Sequence, residues 1–179
     1  MAFNVTEFRA NMLGDGARPN LFQVNLTFPA VANAAVAGQR LTFMAKAAQL
    51  PGSTVGTVPL YYFGREMKFA GNRTFADWTL QIINDEDFNI RNGFESWMNG
   101  LNSNASNLRN PAALNQLLYT ADATVTQFSK TGVPIKTYKF VGMFPTDVSP
   151  IDLDWGSNDS IEEFSVTFAY QWWESDTTS

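Results

Sequence analysis

The chain contains neither histidine nor cysteine. Those two absences exclude Ser-His-Asp triads, Cys-His nucleophile pairs, disulfides and zinc centres built from Cys and His ligands. Charge is also scarce. Asp, Glu, Lys and Arg make up 16% of the residues, against about 25% in ordinary soluble domains. The basic residues that are present form no cluster, and the net charge is −5. A nucleic-acid binder needs Lys and Arg to replace counterions along the phosphates, so tight DNA binding is not expected even at about 50 mM salt. Long apolar runs are missing as well. None approaches the roughly 18 residues of a membrane span, and the opening MAFNVTEF has no basic n-region or apolar h-region of a secretory signal. No glycine-rich phosphate loop follows a strand and opens a helix, so no nucleotide site is indicated. No metal or cofactor is expected.

Asparagine and threonine fill the space left by charge, at sixteen residues each. A solvated monomer normally covers itself with ionised side chains. A surface built of neutral polar residues fits a protein whose flanks are covered by partners, because interface cores are depleted in charge. The length of 179 residues suits a single domain, 1–179, with a real core.

The pattern is mainly β. Residues 21–28, LFQVNLTF, and 74–83 alternate with period two, as half-buried strands do. Residues 40–48 and 54–63 read as extended arms around the turn LPGST. Residues 123–130 and 134–144 read as a hairpin, and 161–173, IEEFSVTFAYQWW, as the clearest strand. In that strand Phe164, Val166, Phe168, Tyr170 and Trp172 share one face, which makes Trp172 a core residue and Trp173 a rim residue. Residues 30–38, 145–160 and the Asn-rich 102–118 read as loops, the last with weak helical character ending at Leu117 and Leu118. The end, 174–179, reads as frayed.

Two helices interrupt the strands. Residues 3–13 open with Asn4 as a cap, Glu7 three residues on, and a Phe3–Phe8 hydrophobic staple. In DEDFNIRNGFESWMNGLN, residues 85–102, the residues Ile90, Phe94, Trp97, Met98 and Leu101 recur at helical spacing and form one packing stripe. Asp85, Glu86 and Asp87 stand where capping carboxylates satisfy orphan N–H groups and meet the positive end of the helix dipole. They are read as the start of a helix, with Gly100 as its stop, rather than as an acid–base cluster. The arm around Leu50, Val55, Val58, Leu60, Tyr61 and Tyr62 has little polar alternation. It is either core or a contact surface between subunits, since a long apolar edge invites pairing.

Two chemical readings remain beside a structural one. Trp155, Trp172 and Trp173 could form the sugar-stacking platform of a carbohydrate-binding β-sandwich, such as a tail or capsid decoration protein. Asp152 and Asp154 could hold a cation if that stretch is extended, or pair in a two-carboxylate glycosidase.

Several stretches together decide between them. The N-terminal helix, the arm ending LYYFGREMKFAG, the strand–helix unit FADWTLQIINDEDFNIRNGFESWMNGLN, the segment KFVGMFPTDVSPIDLDW and the strand FSVTFAYQWWE resemble the tail tube protein of contractile-tailed, myovirus-type bacteriophages. The resemblance covers nearly the whole chain and contains no catalytic motif. It implies a β-sandwich or barrel flanked by one α-helix, with a short N-terminal helix. It implies hexameric rings stacked into a hollow tube within a contractile sheath, a baseplate and a tail terminator at the ends, and a tape measure protein and double-stranded DNA in the lumen without specific binding. Such a subunit belongs to the virion, is assembled in the host bacterial cytoplasm and inserts in no membrane. The apolar character of the arm on both sides makes Leu50, Val55, Val58, Leu60, Tyr61 and Tyr62 the expected subunit and ring contacts.

Overall fold

A computed structural model describes residues 4–12, 14 and 16–178. The chain is mainly β, organised around one antiparallel sheet. Strands β1 (Phe22–Leu26), β2 (Ala45–Ala48), β5 (Trp78–Ile83), β6 (Ala121–Phe128), β7 (Pro134–Val148), β8 (Glu163–Ala169) and β9 (Trp172–Ser175) form it. Their order is β1-β6-β7-β8-β5-β2, with β9 paired to β7 beside β8. The long strand β7 is the spine. It pairs with β6 along one edge, and with β9 and then β8 along the other. A second, two-stranded ribbon consists of β3 (Thr54–Tyr62) and β4 (Arg65–Thr74).

Alternation decides which face of the sheet is dry. Val24 and Leu26 of β1, Trp78, Leu80 and Ile82 of β5, Val125 of β6, Phe140 of β7, and Phe164, Val166 and Phe168 of β8 are all buried in one cluster. Helix α3 (Asn89–Leu101) packs into this face. Its Ile90, Phe94 and Trp97 are fully buried, and Met98 and Leu101 are half-buried at the edge of the stripe. The Phe94 ring lies 4.9 Å from that of Phe28, tilted, and 5.6 Å from that of Phe168, edge-on. The Trp97 ring lies 5.7 Å from Phe28, and its Nε1–H donates to the Tyr119 carbonyl at 2.7 Å. Each such side chain withdrawn from water stabilises the fold by about 1.5–3 kcal/mol. Of the expected stripe, Ile90, Phe94 and Trp97 lie in the core cluster, Leu101 packs against it, and Met98 is outside it.

The acids before α3 do something other than capping. The helix begins at Asn89 with Phe88 as its N-cap, at φ 52°, and no side chain caps it. Asp85 and Asp87 instead accept from Arg40 Nη1, at 2.9 and 2.7 Å. Arg40 lies on α2 (Ala35–Met44), which the sequence reading missed, having taken 30–38 as loop and 40–48 as an extended arm. The segment has no capping side chain and weak amphipathicity, but Ala is the best helix former. Ala37 and Leu41, four apart, bury against the sheet. Gly38 lets α2 lie on β1: a methyl group there would come within 2.8 Å of the Leu26 carbonyl oxygen. Thr42 Oγ1 also donates to Asn25 Oδ1 at 3.1 Å. The helix then runs directly into β2, so the two terminal strands of the sheet are tied to one helix.

Other differences have local causes. The partner of β3 is β4, not the 40–48 arm. The last strand is interrupted at Tyr170–Gln171, where the alternation slips by one residue, and a slip of one exchanges the faces. Trp172 is consequently exposed, whereas Trp173 packs on the core and donates to the Gly52 carbonyl at 3.1 Å. Residues 174 and 175 are strand, paired with Lys139 and Tyr138, rather than frayed. Gly100 lies inside α3, buried, rather than at its stop. The 145–160 loop is shorter than expected because β7 continues to Val148, and the Asn-rich stretch ends in α4 (Gln116–Tyr119). At the N-terminus, α1 (Val5–Asn11) is capped by Asn4, whose Oδ1 accepts from Thr6 N at 3.1 Å. The staple partner Phe3 lies outside the described residues.

Candidate functional site

The ribbon is the feature that a lone chain leaves unexplained. β3 and β4 hydrogen-bond to each other and to no strand of the main sheet. Every residue of β3 is exposed, and every residue of β4 except the half-buried Gly71. An isolated two-stranded hairpin is at best marginally stable in water. This one is held at its root, where Trp78 Nε1 donates to the Gln49 carbonyl at 2.8 Å and Trp173 Nε1 to that of Gly52.

Pairing sorts the ribbon into two unlike faces. Tyr62 lies opposite Arg65, Leu60 opposite Met67 and Val58 opposite Phe69. Side chains directly opposite share a face, so Val58, Leu60, Tyr62, Met67 and Phe69 make one apolar surface with Arg65 at its end. Tyr61 with Glu66, Pro59 with Lys68, and Val55 with Arg73 make the reverse, polar face. Residues Val55, Val58, Leu60, Tyr61 and Tyr62 thus all stand on β3 in water, and Leu50 is exposed at the root. The structure brings Val58, Leu60 and Tyr62 together and puts Val55 and Tyr61 behind them. It adds Met67 and Phe69, whose period-two spacing in REMKFA was the signal for a second strand.

The tip is a tight turn of Phe63 and Gly64, both with positive φ, 47° and 78°. Two such residues are what a two-residue turn between twisted strands demands. Glycine adopts that region freely, but a phenylalanine there is held at a cost of about 1–2 kcal/mol. Phe63 is also 91% exposed, with its ring edge-on to Tyr62 at 4.6 Å. A large apolar side chain on strained backbone in open water serves no purpose in the isolated chain.

The chemical alternatives find no site. Among the described residues no three His, Cys, Asp or Glu side chains are grouped to hold a metal. Asp152 and Asp154 lie exposed in the loop 149–162, where Asp154 Oδ1 accepts from Gly156 N at 3.0 Å. The three tryptophans do not make one platform: Trp155 stands in that loop, and Trp172 and Trp173 are neighbours on β9 whose side chains point to opposite faces. The groove between β1 and α2, lined by Asn25, Thr27, Gln39 and Thr42, offers amides and hydroxyls rather than paired acids.

The family model described as phage tail tube protein matches residues 17–176. The chain belongs to the phage tail tube protein family. Its similarity to the tail tube protein gp19 of Enterobacteria phage T4 is 36% identity over 169 residues, covering 93% of this chain and 96% of that one. The tail tube protein of Serratia phage KSP90 is 26% identical over 168 residues, covering 93% of each. Two tail-tube-like folds in solved structures match over most of their length. One, in the sheath–tube complex of the PVC extracellular contractile injection system in its extended state, superimposes with a TM-score of 0.61 at 15% identity, over 98% of this chain and 99% of that one. The other, in the tube-terminating cap of the anti-feeding prophage, gives 0.64 at 16% identity, over 90% and 91%. At such identities these two speak to the fold alone. The tail tube family contributes no support for a carbohydrate-binding decoration protein.

Proposed function

We propose that this chain is the repeating wall subunit of a contractile phage tail, forming hexameric rings that stack into a hollow conduit inside the sheath. The observation that carries the reading is the ribbon. Its apolar face and its tip need cover that the chain does not supply, and identical copies in a closed tube supply it while removing open sheet edges. A tail tube protein is a virion component. Assembly in the host bacterial cytoplasm, contacts with sheath, baseplate and terminator, and a lumen holding first a tape measure protein and then double-stranded DNA belong to the same reading. The chain takes part as a wall and performs no reaction.

The charge supports passage without retention. Six copies carry a formal −30, six times the −5 of one chain. A conduit of that sign repels phosphates and lets DNA slide. Negative-stain electron microscopy of concentrated protein, alone and seeded with an initiating baseplate complex, tests the reading. Rings or hollow rods are expected; dispersed single molecules in both samples contradict it.

A further inference from the structure

The spine strand β7 changes partners along its length. Before Gly142 it runs between β6 and β9, and from Phe144 to Val148 it pairs with β8. One leaf of the sheet is therefore β1, β6, β9 and the first part of β7; the other is β8, β5, β2 and the second part. Both borders of β7 are interrupted where the leaves meet. On one side the register passes from Ala123–Phe140 to Ala121–Met143, so Val141 and Gly142 stand opposite the single residue Asp122. On the other, β8 ends at Ala169 and β9 begins at Trp172, leaving Tyr170 and Gln171 between them. A bulge bends its strand, and Gly142 supplies the positive φ, 63°, that a glycine adopts without strain. Across this crease Gly142 N donates to Asp122 Oδ1 at 3.1 Å, and Gln171 N donates to the Val141 carbonyl at 3.0 Å. Asp122 Oδ2 also meets Lys139 Nζ at 3.0 Å.

The root of the ribbon spans the crease. Trp78 Nε1, on β5, donates to the Gln49 carbonyl, and Trp173 Nε1, on β9, donates to the Gly52 carbonyl. The two indoles belong to different leaves. Both stand beside the crease: Trp173 is two residues from Gln171, and Phe168, opposite Trp78, is two residues from Tyr170. The Trp78 ring also lies 4.5 Å from that of Phe140, which is opposite Trp173. Gln49 and Gly52 are three residues apart, about 11 Å of chain at most, with Pro51 between them. The segment 49–52 is thus a short strap pinned to both leaves, and β3 departs from it at Thr54.

We infer that the crease is a hinge between the two leaves, latched by Asp122, and that the strap makes the ribbon follow it. A sheet opens most easily where its ladder is already broken, and a hinge needs only a few residues that absorb a change of φ and ψ. Gly142 is such a residue. A change of angle there moves one indole relative to the other. Pro51, with its fixed φ, leaves the strap little slack to take up that movement, so the ribbon turns with the leaves. The crease thereby sets the direction in which the ribbon leaves the body. The device lies within one chain and acts whether or not copies assemble.

The chain has no cysteine, so a pair of introduced thiols carries the only labels. Double electron–electron resonance on dispersed, spin-labelled, full-length protein reads leaf to leaf with Gln81→Cys and Ile135→Cys, and leaf to ribbon with Gln81→Cys and Lys68→Cys; all three side chains are exposed. Adding Asp122→Ala should broaden or shift both distances. Asp122→Asn keeps an oxygen for the Gly142 N–H and should leave both as in the parent. Trp173→Phe frees one end of the strap and should broaden the ribbon distance alone. Distances in Asp122→Ala identical to the parent overturn the hinge, and a leaf shift that the ribbon does not follow overturns the strap. Hydrogen exchange of the unlabelled parent needs no stable variant. The Gly142 and Gln171 amides should exchange about tenfold or more faster than the ladder amides of β6 and β8 on either side, and equal protection overturns the hinge.

Discussion

Replacing Trp97 by alanine tests whether α3 is the internal brace of the fold. Trp97 is fully buried. Its ring meets Phe28 at 5.7 Å, Phe94 at 6.4 Å and Phe168 at 6.5 Å, so it touches the segment after β1, its own helix and β8 at once. Its Nε1–H satisfies the Tyr119 carbonyl, 22 residues away, and so pins the Asn-rich connection to α3. Truncating a buried Trp costs about 3–5 kcal/mol. For a domain of this size each kcal/mol lowers Tm by about 2–4 °C, so the fall should be about 6–20 °C. Trp97→Phe keeps most of the packing and loses the donor, leaving a half-buried carbonyl without its partner, at up to about 1–3 kcal/mol. It should melt between the other two. Thermal and urea unfolding of dilute, unassembled protein measure all three, since assembly would itself raise Tm. A Trp97→Ala protein melting within about 1 °C of the parent would refute the placement of the helix.

Two further outcomes follow from local geometry. Gly38→Ala puts a methyl group 2.8 Å from the Leu26 carbonyl oxygen, and forcing α2 off β1 should cost about 1–3 kcal/mol by urea unfolding despite the better helix propensity of alanine; a stabilised variant contradicts it. Burial, and secondarily the charge of Asp77, raises the Tyr170 phenol above its ordinary value. The fold therefore favours the neutral phenol: Tyr170 adds no pH dependence below about pH 10, and stability falls as pH rises past that value toward the raised one. In ultraviolet titration of phenolate formation, Tyr170→Phe should remove the highest-pH part of the curve, and identical curves for variant and parent refute the assignment.

The sequence showed what periodicity can show. The stripe of Ile90, Phe94 and Trp97, the alternation of Phe164, Val166 and Phe168, and the β6–β7 hairpin all appear as read, because each repeats a single period against one buried face. What failed was set by tertiary pairing. Helix α2 has no cap, no acid in its first turn and little amphipathic contrast, so nothing local marks it; its reason is the approach of Gly38 to β1. Asp85 and Asp87 satisfied the capping rule in position only, and their partner Arg40 lies more than forty residues earlier. The 54–63 arm, read as too apolar for an exposed hairpin, stands exposed in the single chain. Its pairing with 65–74 was hidden because the Pro-Gly turn at 51–52 looked a stronger hairpin signal than Phe63–Gly64. The strand break that exchanges Trp172 and Trp173 has no signature in composition.

The account stands on the ribbon being covered by copies of the same chain, and a pair of ribbon variants tests that most directly. Val58→Asp and Tyr61→Asp alter side chains that are exposed in the single chain. Each should melt like the parent when dispersed, yet form no rods under conditions where the parent does. Rods of normal length from both variants would contradict the claim, and a variant that does not fold would show that the ribbon is core.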